Sequence, residues 1–157
     1  RWDKGTVFLD LYSGVGLFGI ALSGRAARVV MIESGHDSVR LARYNIEYHG
    51  LDHALALEGQ VETCLPGILK EQKGKHCVAL IDPPRSGLTA PVRDLLAASE
   101  GLAELWYLSC SPESLARDLK ALLSGGWKAA KIIPFDFFPR TKHLETLVCL
   151  RRTELKN

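Results

Sequence analysis

Val7-Phe8-Leu9-Asp10-Leu11-Tyr12-Ser13-Gly14-Val15-Gly16-Leu17-Phe18-Gly19 is the stretch whose reading decides the fold. The apolar run Val7-Phe8-Leu9, closed by Asp10-Leu11-Tyr12, reads as a buried strand of a parallel sheet. Gly14, Gly16 and Gly19 follow in G-x-G-x-x-G spacing, and the apolar Leu17, Phe18, Ile20, Ala21 and Leu22 continue from them. The pattern is strand, tight glycine turn, helix. Glycines let a ligand approach bare backbone, and a helix start offers unpaired N–H groups. The loop from Ser13 to Leu17 is therefore read as a nucleotide-type cofactor site. By itself the motif suits a dinucleotide dehydrogenase, a methyltransferase or a turn with no ligand.

Two acids narrow the choice. Asp10 stands just before the glycine loop and is expected to face the ligand. It would repel a pyrophosphate, whereas it suits the cationic methionine end of S-adenosylmethionine. Glu33 closes the next apolar run, Arg28-Val29-Val30-Met31-Ile32, where a carboxylate accepts ribose hydroxyls of either cofactor.

The same alternation runs through the chain. A helix is expected over Leu17–Ser23 with Gly24 as its stop, a strand over Arg28–Glu33, and a helix over Asp37–Tyr48 ended by Gly50. Ala54–Glu58 reads as a short strand. Val61–Gln72 reads as a helix interrupted at Pro66-Gly67, regular only in its second part. Cys77–Asp82 is a strand closed by an acid and two prolines. Thr89 is the candidate cap of a helix reaching Ala98. Glu104–Ser109 is a fifth strand, and Ser111 caps a helix with Pro112 at its first position that runs to Leu123. Trp127–Phe135 and His143–Arg151 close the chain as two strands with no helix between them. The expected fold is α/β: a mostly parallel seven-stranded sheet, one antiparallel strand near an edge, helices on both faces. Ligands of such sheets sit at the carboxyl ends of the strands, and Asp10, Glu33, Asp82 and Cys110 all fall there.

The 157 residues fit one domain, 1–157, and 46% hydrophobic with 24% charged residues is ordinary for a globular protein. A net charge of +2 is no polyelectrolyte signal, so a nucleic-acid partner would not be gripped along a long phosphate track. No apolar run approaches membrane-spanning length, and no signal peptide is visible. The four cysteines, Cys64, Cys77, Cys110 and Cys149, form no C-x-x-C pair, so neither a metal site nor a disulfide framework is expected. Reduced thiols suit an intracellular, cytoplasmic protein. The start at Arg1 rather than Met suggests a fragment with more protein upstream.

Three further stretches carry chemistry. Cys110 leaves a strand and precedes a helix start, which favours a thiolate; the thiol is a nucleophile or a strand-end core residue. Cys77 and Cys149 lie inside apolar strands and read as inert. Asp82-Pro83-Pro84-Arg85 sits where methyltransferases place a substrate base. Arg85 occupies the position at which amine methyltransferases carry an aromatic ring, so it favours a charged contact over amine methylation. The alternative is a rigid proline turn. His143 and Glu145 share one strand face and suit proton transfer, or form a polar edge. Arg140, Lys142, Arg151 and Arg152 are either an RNA-facing rim or a solvated edge.

Together these motifs resemble the S-adenosylmethionine-dependent RNA 5-methyluridine methyltransferases. D-L-Y-S-G-V-G-L-F looks like that family's cofactor loop and I-D-P-P-R-S-G-L like its D-P-P-R-x-G-L motif. Y-L-S-C-S-P looks like its nucleophile motif, with Ser111 in place of the usual Asn, and F-P-R-T-K-H-L-E like its closing motif. The match spans about Val7 to Arg151. The resemblance implies a Rossmann-like class I methyltransferase domain acting on carbon 5 of a uridine in tRNA or rRNA. It implies Cys110 as nucleophile and Glu145 as base. Tyr12, Glu33, Gln60 and Asp82 are implied as cofactor contacts beside Asp10, Ser13, Gly14, Gly16 and Leu17; Arg85 and His143 lie on the substrate side. Family members carry upstream RNA-binding segments, so this chain reads as a C-terminal catalytic portion, and a monomer is expected. The competing readings are a methyltransferase acting on an exocyclic amine, a nicotinamide dehydrogenase, and a non-catalytic module that binds cofactor or RNA.

Overall fold

The computed structural model describes residue 2 and residues 5–137, 139–140 and 144–152. Its strands are β1 (Val7–Leu11), β2 (Arg28–Glu33), β3 (Ala54–Glu58), β4 (Cys77–Ile81), β5 (Glu104–Ser109), β6 (Trp127–Phe135) and β7 (Glu145–Arg152). They form one sheet in the order β3-β2-β1-β4-β5-β7-β6. The pairings from β3 through β5 are parallel, and β7 runs antiparallel to both β5 and β6. The expected single antiparallel strand is thus β7, one place in from the edge. The order reverses between β1 and β4, which opens a crevice at the carboxyl ends of those two strands.

The helices are α1 (Leu17–Leu22), α2 (His36–Tyr48), α3 (Val61–Glu71), α4 (Ala90–Ala98) and α5 (Pro112–Ser124). Alternate residues of β1 feed opposite faces. Phe8, with Val29 and Met31, packs on Val39 and Ala42 of α2 and on Phe18 and Ile20 of α1. Val7, Leu9 and Leu11 pack with Leu65 of α3, Leu96 of α4 and Leu122 of α5. Two helices cover one face and three the other. Every residue of β1 and of β4 is buried, as the apolar runs require.

Three local features differ from the sequence reading. α1 ends at Leu22, and Ser23–Arg25 tighten into a 3-10 turn in which the Ser23 hydroxyl donates to the Ile20 carbonyl at 2.8 Å. α3 is one continuous helix through Pro66 rather than an interrupted one. The bond that proline forfeits is the one to the Glu62 carbonyl, and Pro66 and Gly67 lie on the exposed side, where water can serve. Thr89 occupies the N-cap position of α4, but its hydroxyl makes no capping bond. β7 is described from Glu145; His143 lies outside the described residues. No described helix is long and apolar enough to cross a membrane.

Candidate active site

The turn out of β1 is left-handed at three residues, Tyr12 (φ 62°), Gly14 (φ 54°) and Gly16 (φ 87°). A tyrosine in that region is strained, and strain held by its surroundings clusters at functional sites. The Ser13 N–H donates to the Ile32 carbonyl at 3.0 Å and the Gly16 N–H to the Ser13 carbonyl at 2.9 Å, so the loop is rigid. A Cβ at Gly14 would meet nothing within 4 Å, whereas one at Gly19 would lie 2.8 Å from Met31 Cγ and 2.9 Å from Met31 Sδ. Gly14 therefore borders open space, and Gly19 permits the close packing of α1 on β2.

Glu33 closes this loop from the side. Its Oε2 accepts from the Gly14 N–H at 3.0 Å and its Oε1 from the Gly35 N–H at 2.7 Å. A carboxylate offers about four acceptor sites, so room remains for a ligand hydroxyl. Asp10 is placed differently from the expectation. It is fully buried, and its Oδ2 accepts from the Gly19 N–H at 2.7 Å, beneath the loop rather than facing open space. Its other oxygen, like the buried hydroxyl of Ser13, has no partner among the described residues. Burial pushes the Asp10 acid up to about 7, against the Gly19 hydrogen bond and with help from Asp82 and Glu33. Leu17 is 66% exposed at the rim. Gln60 stands exposed after β3, as the N-cap residue of α3.

The second half of the crevice follows β4 and β5. The Asp82 N–H donates to the Leu11 carbonyl at 3.3 Å, so Asp82 sits directly beside the end of β1. Although the residue is exposed, its carboxyl lies close enough to protein for desolvation, and after it the Glu145 carboxylate, to raise its pKa. Arg85 is exposed and makes no hydrogen bond or ion pair among the described residues. It lies in a turn in which the Gly87 N–H donates to the Pro84 carbonyl at 2.7 Å. Cys110 is half-buried and reduced, one residue past β5. Ser109 pairs with Thr146 in the last rung of the β5–β7 ladder, so Cys110 and Glu145 are the next residues of their segments at that end of the sheet. The Ser111 hydroxyl accepts from the Ser114 N–H and caps α5 immediately after the thiol.

The structure thus gathers Asp10, the loop from Tyr12 to Leu17, Glu33, Gln60, Asp82, Arg85, Cys110 and Glu145 at one end of the sheet. It separates Arg151 and Arg152 from them. Arg151 pairs with Glu104 at 2.9 Å, and Arg152 lies 4.8 Å over the Trp127 ring. Both sit at the far end of β7, about 20 Å from Glu145 by strand rise. They are structural and form no rim of this site; Lys142 lies outside the described residues. Burial raises the Cys77 and Cys149 thiols, in keeping with inert core roles. No metal-ligating group of three or more side chains occurs among the described residues.

One residue escaped the sequence reading. Asp118 of α5 is fully buried and accepts from the Leu88 N–H at 2.8 Å, the Tyr107 hydroxyl at 2.7 Å and the Arg117 Nε at 2.9 Å. Its signal was present: Leu115, Asp118 and Leu122 lie on the one buried stripe of α5, and an acid there demands donors.

This fold and this crevice are those of a class I S-adenosylmethionine-dependent methyltransferase. Residues 3–153 match the family model described as tRNA (uracil-5-)-methyltransferase, and the chain belongs to that family. It is 38% identical over 151 residues to an uncharacterized RNA methyltransferase of Protochlamydia amoebophila, covering 95% of this chain and 34% of that protein. An uncharacterized RNA methyltransferase of Thermotoga maritima is 36% identical over 144 residues, covering 92% of this chain and 32% of that protein. Among solved structures, the Pyrococcus abyssi tRNA (uracil-54, C5)-methyltransferase in complex with S-adenosyl-L-homocysteine superposes with a TM-score of 0.77 at 33% identity, over 95% of this chain and 35% of that one. The chain spans about a third of the length of these relatives.

Proposed function

We propose that this chain transfers a methyl group to carbon 5 of a uridine in RNA through a covalent bond from Cys110. The observation that supports the reading is the β5–β7 ladder, whose last rung, Ser109 with Thr146, leaves Cys110 and Glu145 as the next residues of their segments at the crevice end of the sheet. The residues of the crevice fit S-adenosylmethionine: an open Gly14 edge, the Glu33 carboxylate, the Ser13 hydroxyl, which has no partner among the described residues, and the Asp82 carboxylate toward its cationic end, with Asp10 buried beneath the loop. Tyr12, Gly16, Leu17 and Gln60 complete its walls.

Carbon 5 of uracil is a poor nucleophile. The Cys110 thiolate adds to carbon 6, and the electron pair moves onto the ring as an enolate that makes carbon 5 nucleophilic. S-adenosylmethionine, when bound, supplies the methyl group that carbon 5 takes. Glu145 then removes the proton from carbon 5, the ring double bond re-forms, and the Cys110–carbon 6 bond breaks to release the thiolate. Arg85, without a partner among the described residues, pairs with a base oxygen or a phosphate. The uridine must leave its stack to reach the thiol.

RNA carrying tritium at carbon 5 of its uridines tests this reading. The chain, or any longer protein containing it, should release tritium to water only when S-adenosylmethionine is present. Methylation without tritium release would point instead to an exocyclic amine and would remove Cys110 from the chemistry.

A further inference from the structure

We propose that Asp118 is a positioning residue that fixes the substrate loop and the nucleophile strand relative to each other. The inference rests on the methyltransfer reading above. Asp118 gathers donors from four parts of the fold. The Leu88 N–H at 2.8 Å belongs to the loop that carries Arg85, and the Tyr107 hydroxyl at 2.7 Å belongs to β5, three residues before Cys110. Arg93 Nη1 of α4 lies at 3.3 Å and Arg117 Nε of α5 at 2.9 Å.

The two guanidinium groups extend the clasp to the loop backbone. Arg117 Nη2 donates to the Ser86 carbonyl at 2.7 Å, and Arg93 Nη1 donates to the Leu88 carbonyl at 2.7 Å. Gly87 (φ 75°) lies against the clasp, and a Cβ there would stand 2.6 Å from Arg117 Nη2 and 2.9 Å from Ser114 Cβ. Arg85 therefore rides on a turn pinned one and three residues downstream. On the other side, Cys110 is followed directly by Ser111, the N-cap of α5, so the thiol lies along the chain between Tyr107 and the helix that carries Asp118. The field of Asp118 also reaches Tyr12, whose hydroxyl is pushed up to about 12 by burial first, then by Glu62 and Asp118. One carboxylate thus ties the substrate loop to the nucleophile strand and borders the cofactor loop.

Every partner of Asp118 is a donor, so only an acceptor-only group satisfies them all. Asn keeps the shape but turns an NH₂ toward a donor, which loosens the clasp without removing bulk.

The test is a double-mutant cycle on the rate of adduct formation with RNA containing 5-fluorouridine, at saturating S-adenosylmethionine, using this chain or any longer protein containing it. Folding is followed by circular dichroism and cofactor affinity by titration with S-adenosylhomocysteine. Asp118→Asn and Arg85→Ala should each slow trapping by about tenfold or more, because a displacement of about 1 Å in a reacting group costs up to about a hundredfold. In the Arg85→Ala background, Asp118→Asn should cost less than about threefold further, since both act through one loop. Arg117→Ala, half-exposed and so safer for folding, should slow trapping several-fold with the same non-additivity and carries the test if Asp118→Asn unfolds. A wild-type rate in both Asp118→Asn and Arg117→Ala, or effects that multiply fully with Arg85→Ala, would overturn the inference alone. Absence of any adduct in the unmutated protein with cofactor bound would overturn the methyltransfer reading and this inference with it.

Discussion

At the scale of single residues, Asp10 is the side chain whose environment most changes its chemistry. Free in an unfolded chain it releases its proton near 3.8; folded, it holds it to about 7. Between those values the folded state binds the extra proton, so the stability this group contributes is fully present below about 3.8 and is lost as pH climbs toward about 7. The drop is on the order of a few kcal/mol at about 1.4 per pKa unit. Urea unfolding midpoints should therefore decline from pH 5 to pH 8, and Asp10→Asn, which still accepts from Gly19, should flatten most of that slope. An equally steep decline in the variant would show that other groups carry it. The sequence marked Asp10 as site chemistry but not its burial, because the direction in which a strand-end side chain turns depends on how closely the next helix packs. Here Gly19 lets α1 settle onto Met31, and the acid becomes its anchor. Asp118 was legible in principle as an acid on an apolar stripe. Its partners were not, since Leu88, Arg93 and Tyr107 lie 30, 25 and 11 residues away in sequence.

At the scale of elements, boundaries followed local chemistry where that chemistry was strong. Ser111 and Pro112 placed the start of α5 correctly, because both a hydroxyl cap and a proline at the first position act within one turn. Pro66 misled the reading of α3. A proline's cost depends on whether the carbonyl it abandons is wet, and that is a property of packing rather than of sequence. The N-cap of α5 makes a measurable case: the Ser111 hydroxyl meets the Ser114 N–H at a long 3.4 Å, so Ser111→Ala should cost about 0.5–1 kcal/mol, at the low end for caps. Denaturant titration checks this, and a loss above about 2 kcal/mol would mean that Ser111 does more than cap. The strand runs were the most legible elements. β1 and β4 are buried at every residue, so their apolar sequences had no competing interpretation.

At the scale of the whole molecule, alternation of strand and helix specified the layers, and the closing strand–loop–strand specified the antiparallel β7. The strand order did not follow from the pattern, because parallel crossovers of similar length permit several orders. That order has a functional consequence. The reversal between β1 and β4 opens the cofactor crevice, and inserting β7 beside β5 brings Glu145 from the far end of the sequence to the same end of the sheet as Cys110. The described residues of four separated motifs converge on one end of a sheet whose other end carries Arg151 and Arg152. The chain spans about a third of its relatives' length.

In the proposed reaction Cys110 bonds to a uracil, and the bond breaks once Glu145 has removed the proton at carbon 5. The most direct test of this reaction is intact-mass analysis of the protein after incubation with S-adenosylmethionine and RNA containing 5-fluorouridine, whose fluorine cannot leave as a proton. The adduct should form and map to Cys110, vanish in Cys110→Ala, and accumulate on ordinary uridine RNA in Glu145→Gln. An adduct on another cysteine, or Glu145→Gln turning over ordinary RNA at the wild-type rate, would contradict the account.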